Sequence, residues 1–218
     1  MTYRRMMIAS IVVVAVLAAV GTVALQRLPP GTQLPGHWNA AGQADGFADA
    51  GRALFMPAVL AAVISVVLAI VPHVEPMQHR LDRSASLYRT VWGGLLAMML
   101  LIEVVIAAPA FDLWLPATLP LAAVGVLLMV VGNMLPKSRP GFFVGIRTPW
   151  TLTDPDNWVA THRLAARTMM LGGAMVVGAA LMPIEPAARQ ALVIGGIAVA
   201  VLPPLVFSWW FWRRAQRG

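Results

Sequence analysis

Residues 54–71 read LFMPAVLAAVISVVLAIV, from Leu54 to Val71, with no charged side chain. At 1.5 Å per residue a helix over this stretch is about 27 Å long, close to the thickness of a bilayer's hydrocarbon core. Five more apolar segments of similar length flank it: Met6–Leu25, Thr90–Phe111, Leu113–Leu135, Leu164–Met182 and Gln190–Trp212. None alternates apolar with polar as a membrane-barrel strand does, and lipid leaves no partner for open backbone groups, so all six are expected to be helices. The expected fold is an all-α membrane protein, a six-transmembrane helix bundle. Pro116 and Pro120 in the fourth segment, and Pro203 and Pro204 in the sixth, are expected to start or kink their helices.

Composition agrees. The chain has 218 residues, 59% hydrophobic and 11% charged. A soluble domain carries about 25% charged residues, so a cytosolic enzyme and a disordered chain are both excluded. The first segment follows Arg4 and Arg5, as a signal peptide would. Its apolar run is longer than a signal core and ends without a small-x-small cleavage pattern, so it is expected to remain as a helix. The absence of cysteine excludes disulfides, thiolate metal sites and thiol nucleophiles.

The net charge of +7 would suit nucleic acid if it formed a soluble patch. In a membrane protein it reflects Lys and Arg in cytoplasmic loops, and no direct contact with nucleic acid is expected. With the N-terminus inside, thirteen basic residues fall on the cytoplasmic side and three (Arg27, Arg52 and Arg189) outside. Both termini are thus expected in the cytoplasm, in a multi-pass membrane protein. The run Trp209-Trp210-Phe211-Trp212 before Arg213 fits an aromatic belt at the inner interface. Residues 1–72 read as a two-helix unit with an outer loop at 26–53. Residues 73–218 read as a four-helix unit with a cytoplasmic loop at 136–163, and the two units are expected to form one compact membrane domain. No repeat relates the halves, so the inverted-repeat signature of many transporters is missing.

The outer loop contains Pro35-Gly36-His37-Trp38-Asn39, then Gly42, and then Asp45-Gly46-Phe47. Its residue types are turn formers, and Asp45-Gly46 is expected at a tight turn. One reading is an ordered turn pinned by Trp38 and Phe47 at the interface. The other is a ligand-facing loop whose binding residues are His37, Trp38, Asn39 and Asp45. His37 and Asp45 fall short of the three or four ligands zinc uses, so no metal is expected, and no cofactor. A second run, His73-x-Glu75-x-x-x-His79, is broken by Pro76 and reads as a solvated connector.

The cytoplasmic loop begins at Asn133 and runs Leu135-Pro136-Lys137-Ser138-Arg139-Pro140. It continues Gly145-Ile146-Arg147-Thr148-Pro149-Trp150-Thr151-Leu152 and, after Asp154 and Asp156, reaches Trp158 and Thr161-His162-Arg163. Pro136 and Pro140 stop the helix. Lys137, Arg139, Arg147 and Arg163 place four cations near the headgroups, each worth about 1 kcal/mol at an anionic leaflet. Trp150 and Trp158 read as interface anchors. Two readings stand: a loop that holds lipid phosphate, or a docking surface in which Asn133, Arg147, His162 and Arg163 form a network with Asp154 or Asp156.

The outer stretch resembles the signature of a widespread bacterial membrane domain without an assigned activity, with Ala44 where that pattern has proline. The inner stretch, from Gly132-Asn133 through Gly145-Ile146-Arg147-Thr148-Pro149-Trp150 to Thr161-His162-Arg163, resembles the SdpI-like family of bacterial integral membrane immunity proteins. It departs at Gly141, where the family usually has Asn, and at Ala165-Ala166, where Gly is common. The resemblance implies protection from an exported toxic peptide, and sequestration of a winged-helix transcriptional repressor at the membrane. It implies no enzymatic activity and no catalytic residue. The alternatives are a small transporter or channel, or a membrane-embedded enzyme acting on lipid or peptide.

One carboxyl lies within a span. Glu103 is expensive at membrane depth, so it is expected to be functional or to be bonded to a neighbouring helix. Small residues four apart, Gly93 with Ala97 and Ala174 with Gly178, are expected to serve helix packing.

Overall fold

The computed structural model describes residues 2–74, 84–141 and 144–216. Glu75, His79, Arg80, Arg83 and Arg217 lie outside the described residues, and so does most of the expected connector. Among the described residues the elements are α1 (Thr2–Arg27), a β-hairpin of β1 (Gln33–Trp38) and β2 (Ala44–Asp49), α2 (Ala50–Val74), α3 (Ala85–Ala107), α4 (Leu119–Met134), a short α5 (Pro149–Thr153), α6 (Pro155–Leu181) and α7 (Pro186–Ala215). Six of the helices are long and apolar enough to cross a membrane. Their outward faces are apolar: Ile11 on α1, Val66 on α2 and Val206 on α7 are all exposed. Lipid is the solvent such faces require.

The hairpin, the loop after α3 and the loop between α6 and α7 lie at one end of the bundle, the hairpin end. The described ends of the chain and residues 135–141 and 144–154 lie at the other, the terminal end. Helix α1 packs chiefly on α2, α6 packs on both α4 and α7, and α3 touches α1, α2 and α4.

One boundary differs from expectation. The fourth span begins at Leu119, with Pro120 in its first turn. Residues 113–118 are not helical: Pro116 in this stretch has no N–H to give a helix, whereas Pro120 sits in the first turn, where no partner for that N–H is lost. The third span ends in a 3-10 turn over Ala108–Phe111.

The small-residue contacts also fall elsewhere than Ala174 and Gly178. Gly178 faces open space. The close crossings are made by the adjacent pair Gly172-Gly173. A Cβ on Gly173 would stand 2.6 Å from the carbonyl oxygen of Gly125 on α4, and one on Gly172 would collide with that of Gly196 on α7. Backbones that meet this closely leave no room for a side chain, which is how small residues hold helices together where lipid gives no hydrophobic drive.

Prolines inside the spans free carbonyls, and hydroxyls on neighbouring helices take them up. Pro72 cannot donate to Leu68, and the Tyr88 hydroxyl of α3 donates to that carbonyl instead. Pro204 cannot donate to Ala200, whose carbonyl receives Thr168 Oγ1 of α6 at 3.3 Å. Tyr88 also stands edge-on between Tyr3 and Trp92, with ring centroids 5.8 Å apart on each side. The indole of buried Trp92 donates to Ser10 of α1 at 3.0 Å. These contacts fix α1 within the bundle.

Candidate functional site

Both signature stretches fold into defined structures, at opposite ends. At the hairpin end, strands β1 and β2 pair antiparallel with two irregularities, which leave Gly36 and Asp45 without opposite partners. A bulge re-aims a side chain. Here Asp45 Oδ1 meets His37 Nδ1 at 2.5 Å. Opposite His37 sits Gly46, where a Cβ would stand 2.9 Å from the His37 Cβ. Asp45-Gly46 is therefore strand, not turn, which corrects the sequence reading. The turn is Asn39–Gln43. Asn39 Oδ1 accepts from the amides of Ala41 (3.0 Å) and Gln43 (3.1 Å), and Gly42 takes φ +76°. An Asn side chain that bonds its own backbone two residues on is a common turn former, and it outcompeted Asp-Gly here.

The hairpin covers a pocket of about 270 Å³. His37 and Trp38 form its rim, and Met56 and Leu60 of α2 with Met99 and Ile102 of α3 are part of its floor. Trp38 is half-buried, against the cluster that contains Leu34, Leu54 and Ile106. Phe47 is exposed. His37 and Asp45 are exposed as well, and of the two His37 lines the pocket, a polar side chain at the edge of an apolar floor.

Arg189, which sequence reasoning left as a mere external charge, pins this end together. Its guanidinium donates to four carbonyls: Ala41 at the hairpin tip (3.2 Å), Ala179 (3.0 Å), Met182 (3.3 Å) and Ile184 (3.1 Å). Ala179 belongs to the last turn of α6, where carbonyls lack helical partners. Its position in the first turn of the last span was the one visible signal.

Glu103 lies on α3 between α1 and α2. It is 1% exposed, and neither carboxyl oxygen has a hydrogen-bond partner. Its Oε1 is 3.5 Å from where a Cβ on Gly21 would stand. The expected bond to a neighbouring helix is absent.

At the terminal end the inner signature divides into residues that lock the loop and residues it displays. His162 on α6 is buried, and its Nε2 accepts the amide of Ile146 at 2.9 Å. Its Nδ1 lies 2.8 Å from the Trp158 carbonyl, which can only accept, so the ring proton is on Nδ1. Thr151, also buried, donates to the Ile146 carbonyl at 2.8 Å and closes a capping box with Thr148. Gly145 has φ +113°, and a Cβ there would stand 2.6 Å from His162 Nε2. Asn157 donates to the Ser208 carbonyl of α7 at 2.9 Å and accepts from Thr161 at 2.9 Å.

Three expectations are corrected by this arrangement. Trp158 is no interface anchor: it is fully buried and stacks on His162 with ring centroids 4.1 Å apart. Asp154 caps α6 through the amides of Asp156 and Asn157, so it is no partner for His162. Asn133 and Arg163 are exposed, and His162 gives both ring nitrogens to backbone groups, so it is not part of a side-chain network with them. An imidazole with both nitrogens committed to backbone has nothing left to give an arginine. The same commitment leaves His162 no proton-transfer role in this conformation, and His37 lies at the opposite end of the bundle.

The loop displays Lys137, Arg139 and Arg147, which are exposed, and Trp150, which is half-buried with its ring 6.2 Å from that of Trp212. Beside it Arg213 and Arg214 lie over the rings of Trp209 and Trp210 at 5.1 and 5.4 Å.

Comparison with known proteins meets this geometry at both ends. Residues 12–61, which enclose the hairpin, match a domain of unknown function, DUF1648. Residues 137–208, which enclose the locked loop, α6 and most of α7, match the SdpI/YfhL protein family. Immunity protein SdpI of Bacillus subtilis (strain 168) is 32% identical over 53 residues, or 24% of this chain. The aligned stretch covers 26% of that relative's length. No solved structure gives a significant match. The chain is thus similar to the SdpI/YfhL family over residues 137–208, and it carries six helices long and apolar enough to cross a membrane.

Proposed function

We propose that this chain is an immunity protein of the bacterial plasma membrane, with both termini cytoplasmic, that protects its cell from an exported antimicrobial peptide. The match of residues 137–208 to the SdpI/YfhL family carries the reading. The geometry supports it. The hairpin would face outward by the charge count, and its pocket joins His37, itself paired with Asp45, to an apolar floor. Such a pocket suits an apolar side chain of an amphipathic peptide. His37, Trp38 and Asp45 are the proposed contacts. Asn39 has its side-chain oxygen occupied by the turn, and it acts by shaping the tip.

The inner loop would then serve a cytoplasmic partner. Its exposed Lys137, Arg139, Arg147 and Arg163 suit lipid phosphate or an acidic face of a winged-helix repressor, with Trp150 as anchor. Expression in a sensitive bacterium, challenged with supernatant from a peptide-producing strain, tests the first half. Survival with the wild-type chain and loss with His37→Ala or Asp45→Ala supports it. No protection by a wild-type chain found in the membrane fraction refutes it. For the second half, a tagged repressor that stays soluble with and without the chain refutes sequestration.

A further inference from the structure

A cleft of about 620 Å³ runs between α3 and α4, away from both signature sites. Its walls are apolar, and small residues (Gly93, Gly94, Ala97, Ala122 and Ala123) make it deep. At Gly94 a Cβ would collide with Leu127 of α4, so that glycine lets the helices close beneath the cleft. Arg89 lines its terminal end, exposed, with Nε donating to the Ala85 carbonyl at 3.2 Å. Among the described residues no acidic side chain lines the cleft.

We propose that this cleft binds one acyl chain of a membrane phospholipid whose phosphate pairs with Arg89. Length, charge and position agree on that occupant. From Arg89 to Leu101 the α3 wall extends about 18 Å. One leaflet of a core about 30 Å thick is about 15 Å deep, so a single tail fills the cleft from headgroup level. A guanidinium matches a phosphate in charge and in fork geometry, and it stands where α3 enters the membrane. A second protein helix would meet this cation with no carboxylate among the cleft's described residues to answer it.

The test is native mass spectrometry of the full chain, stripped of lipid in detergent and titrated with dioleoyl phosphatidylglycerol. One lipid should bind. Ala97→Phe, which plugs the cleft from an exposed position, should abolish binding. Arg89→Gln should weaken it about fivefold, the effect of losing one cation beside an anionic headgroup. Arg167→Gln, at an exposed cation on α6 that does not line the cleft, should leave it unchanged. If Ala97→Phe lowers the melting temperature, Ala123→Leu plugs the cleft from α4 instead. Equal binding by wild type and the plugged variant overturns the proposal, as does an Arg89→Gln affinity equal to wild type. Glycerol phosphate binding as tightly as the full lipid overturns the acyl assignment. A dimer that the plug dissociates, with lipid stoichiometry unchanged, assigns the cleft to a second copy and also overturns it.

Discussion

Replacing Glu103 with methionine should stabilise the protein. Glu103 is 1% exposed, and neither carboxyl oxygen is hydrogen-bonded. A buried polar group without a partner costs about 1–3 kcal/mol. Methionine fills nearly the same volume, carries no strong polar atom and adapts to irregular surroundings. Glu103→Met should therefore gain about 1–3 kcal/mol. For a chain of this size each kcal/mol moves the midpoint by about 2–4 °C, so the melting temperature should rise by about 2–12 °C. Glu103→Gln keeps an unpaired polar group and should gain little. The assay is thermal unfolding of detergent-purified protein, followed by circular dichroism and by scanning fluorimetry. A Glu103→Met variant that melts at or below the wild-type temperature refutes the reasoning, because it means the carboxyl has a partner whose loss is felt. A more stable variant that no longer protects cells would show why the carboxyl is kept, since function is a common reason to retain an unfavourable group.

Tyr88→Phe should orphan the Leu68 carbonyl that Pro72 already leaves open, and lower stability by about 1–3 kcal/mol in thermal melts. Adding Pro72→Ala supplies a backbone N–H to that carbonyl, so the double variant should recover most of the loss; no recovery denies the link. Gly145→Ala should break the Ile146–His162 bond, because the new Cβ stands 2.6 Å from Nε2 at a backbone φ of +113°. Hydrogen exchange at the Ile146 amide should accelerate about tenfold, and unchanged protection would show that the loop shifts without losing its lock. Arg189→Lys puts a point charge where a planar fork reaches four carbonyls, so the amides at the hairpin tip should exchange faster while those of α3 do not.

Much of the inner signature was legible as a pattern but not as a division of labour. His162, Trp158 and Arg163 stand close together in the same motif. Yet the first two are buried locks and the third is exposed. Residues one apart on a helix point about 100° apart, so adjacent positions meet different surroundings, and only the neighbours of α6 say which is which. Asp154 reads as an ion-pair partner in the sequence, and in the structure its Oδ1 caps the following helix by accepting from two of its orphan amides. Arg189 was unreadable for a different reason: three of its four acceptors are backbone carbonyls after α6 or in its last turn, and the fourth is 148 residues away. Backbone acceptors carry no residue code.

The amino-acid sequence by itself determined that this is a bundle of six spans. An uncharged run of about 20 residues is unstable in water and must pair its own backbone in lipid, and neither fact depends on tertiary contacts. It also determined that the basic residues gather at one end. Only the tertiary structure decided that Asp45-Gly46 is strand and Asn39–Gln43 the turn, that Gly172 and Gly173 carry the closest crossings, that freed carbonyls at Leu68 and Ala200 are answered by Tyr88 and Thr168, and that Glu103 stands unanswered. The last three turn on which atoms meet across helices, and the first on how the two strands pair. Helix formation is local, whereas the satisfaction of a buried polar group is settled by whatever the packed neighbours bring within bonding distance.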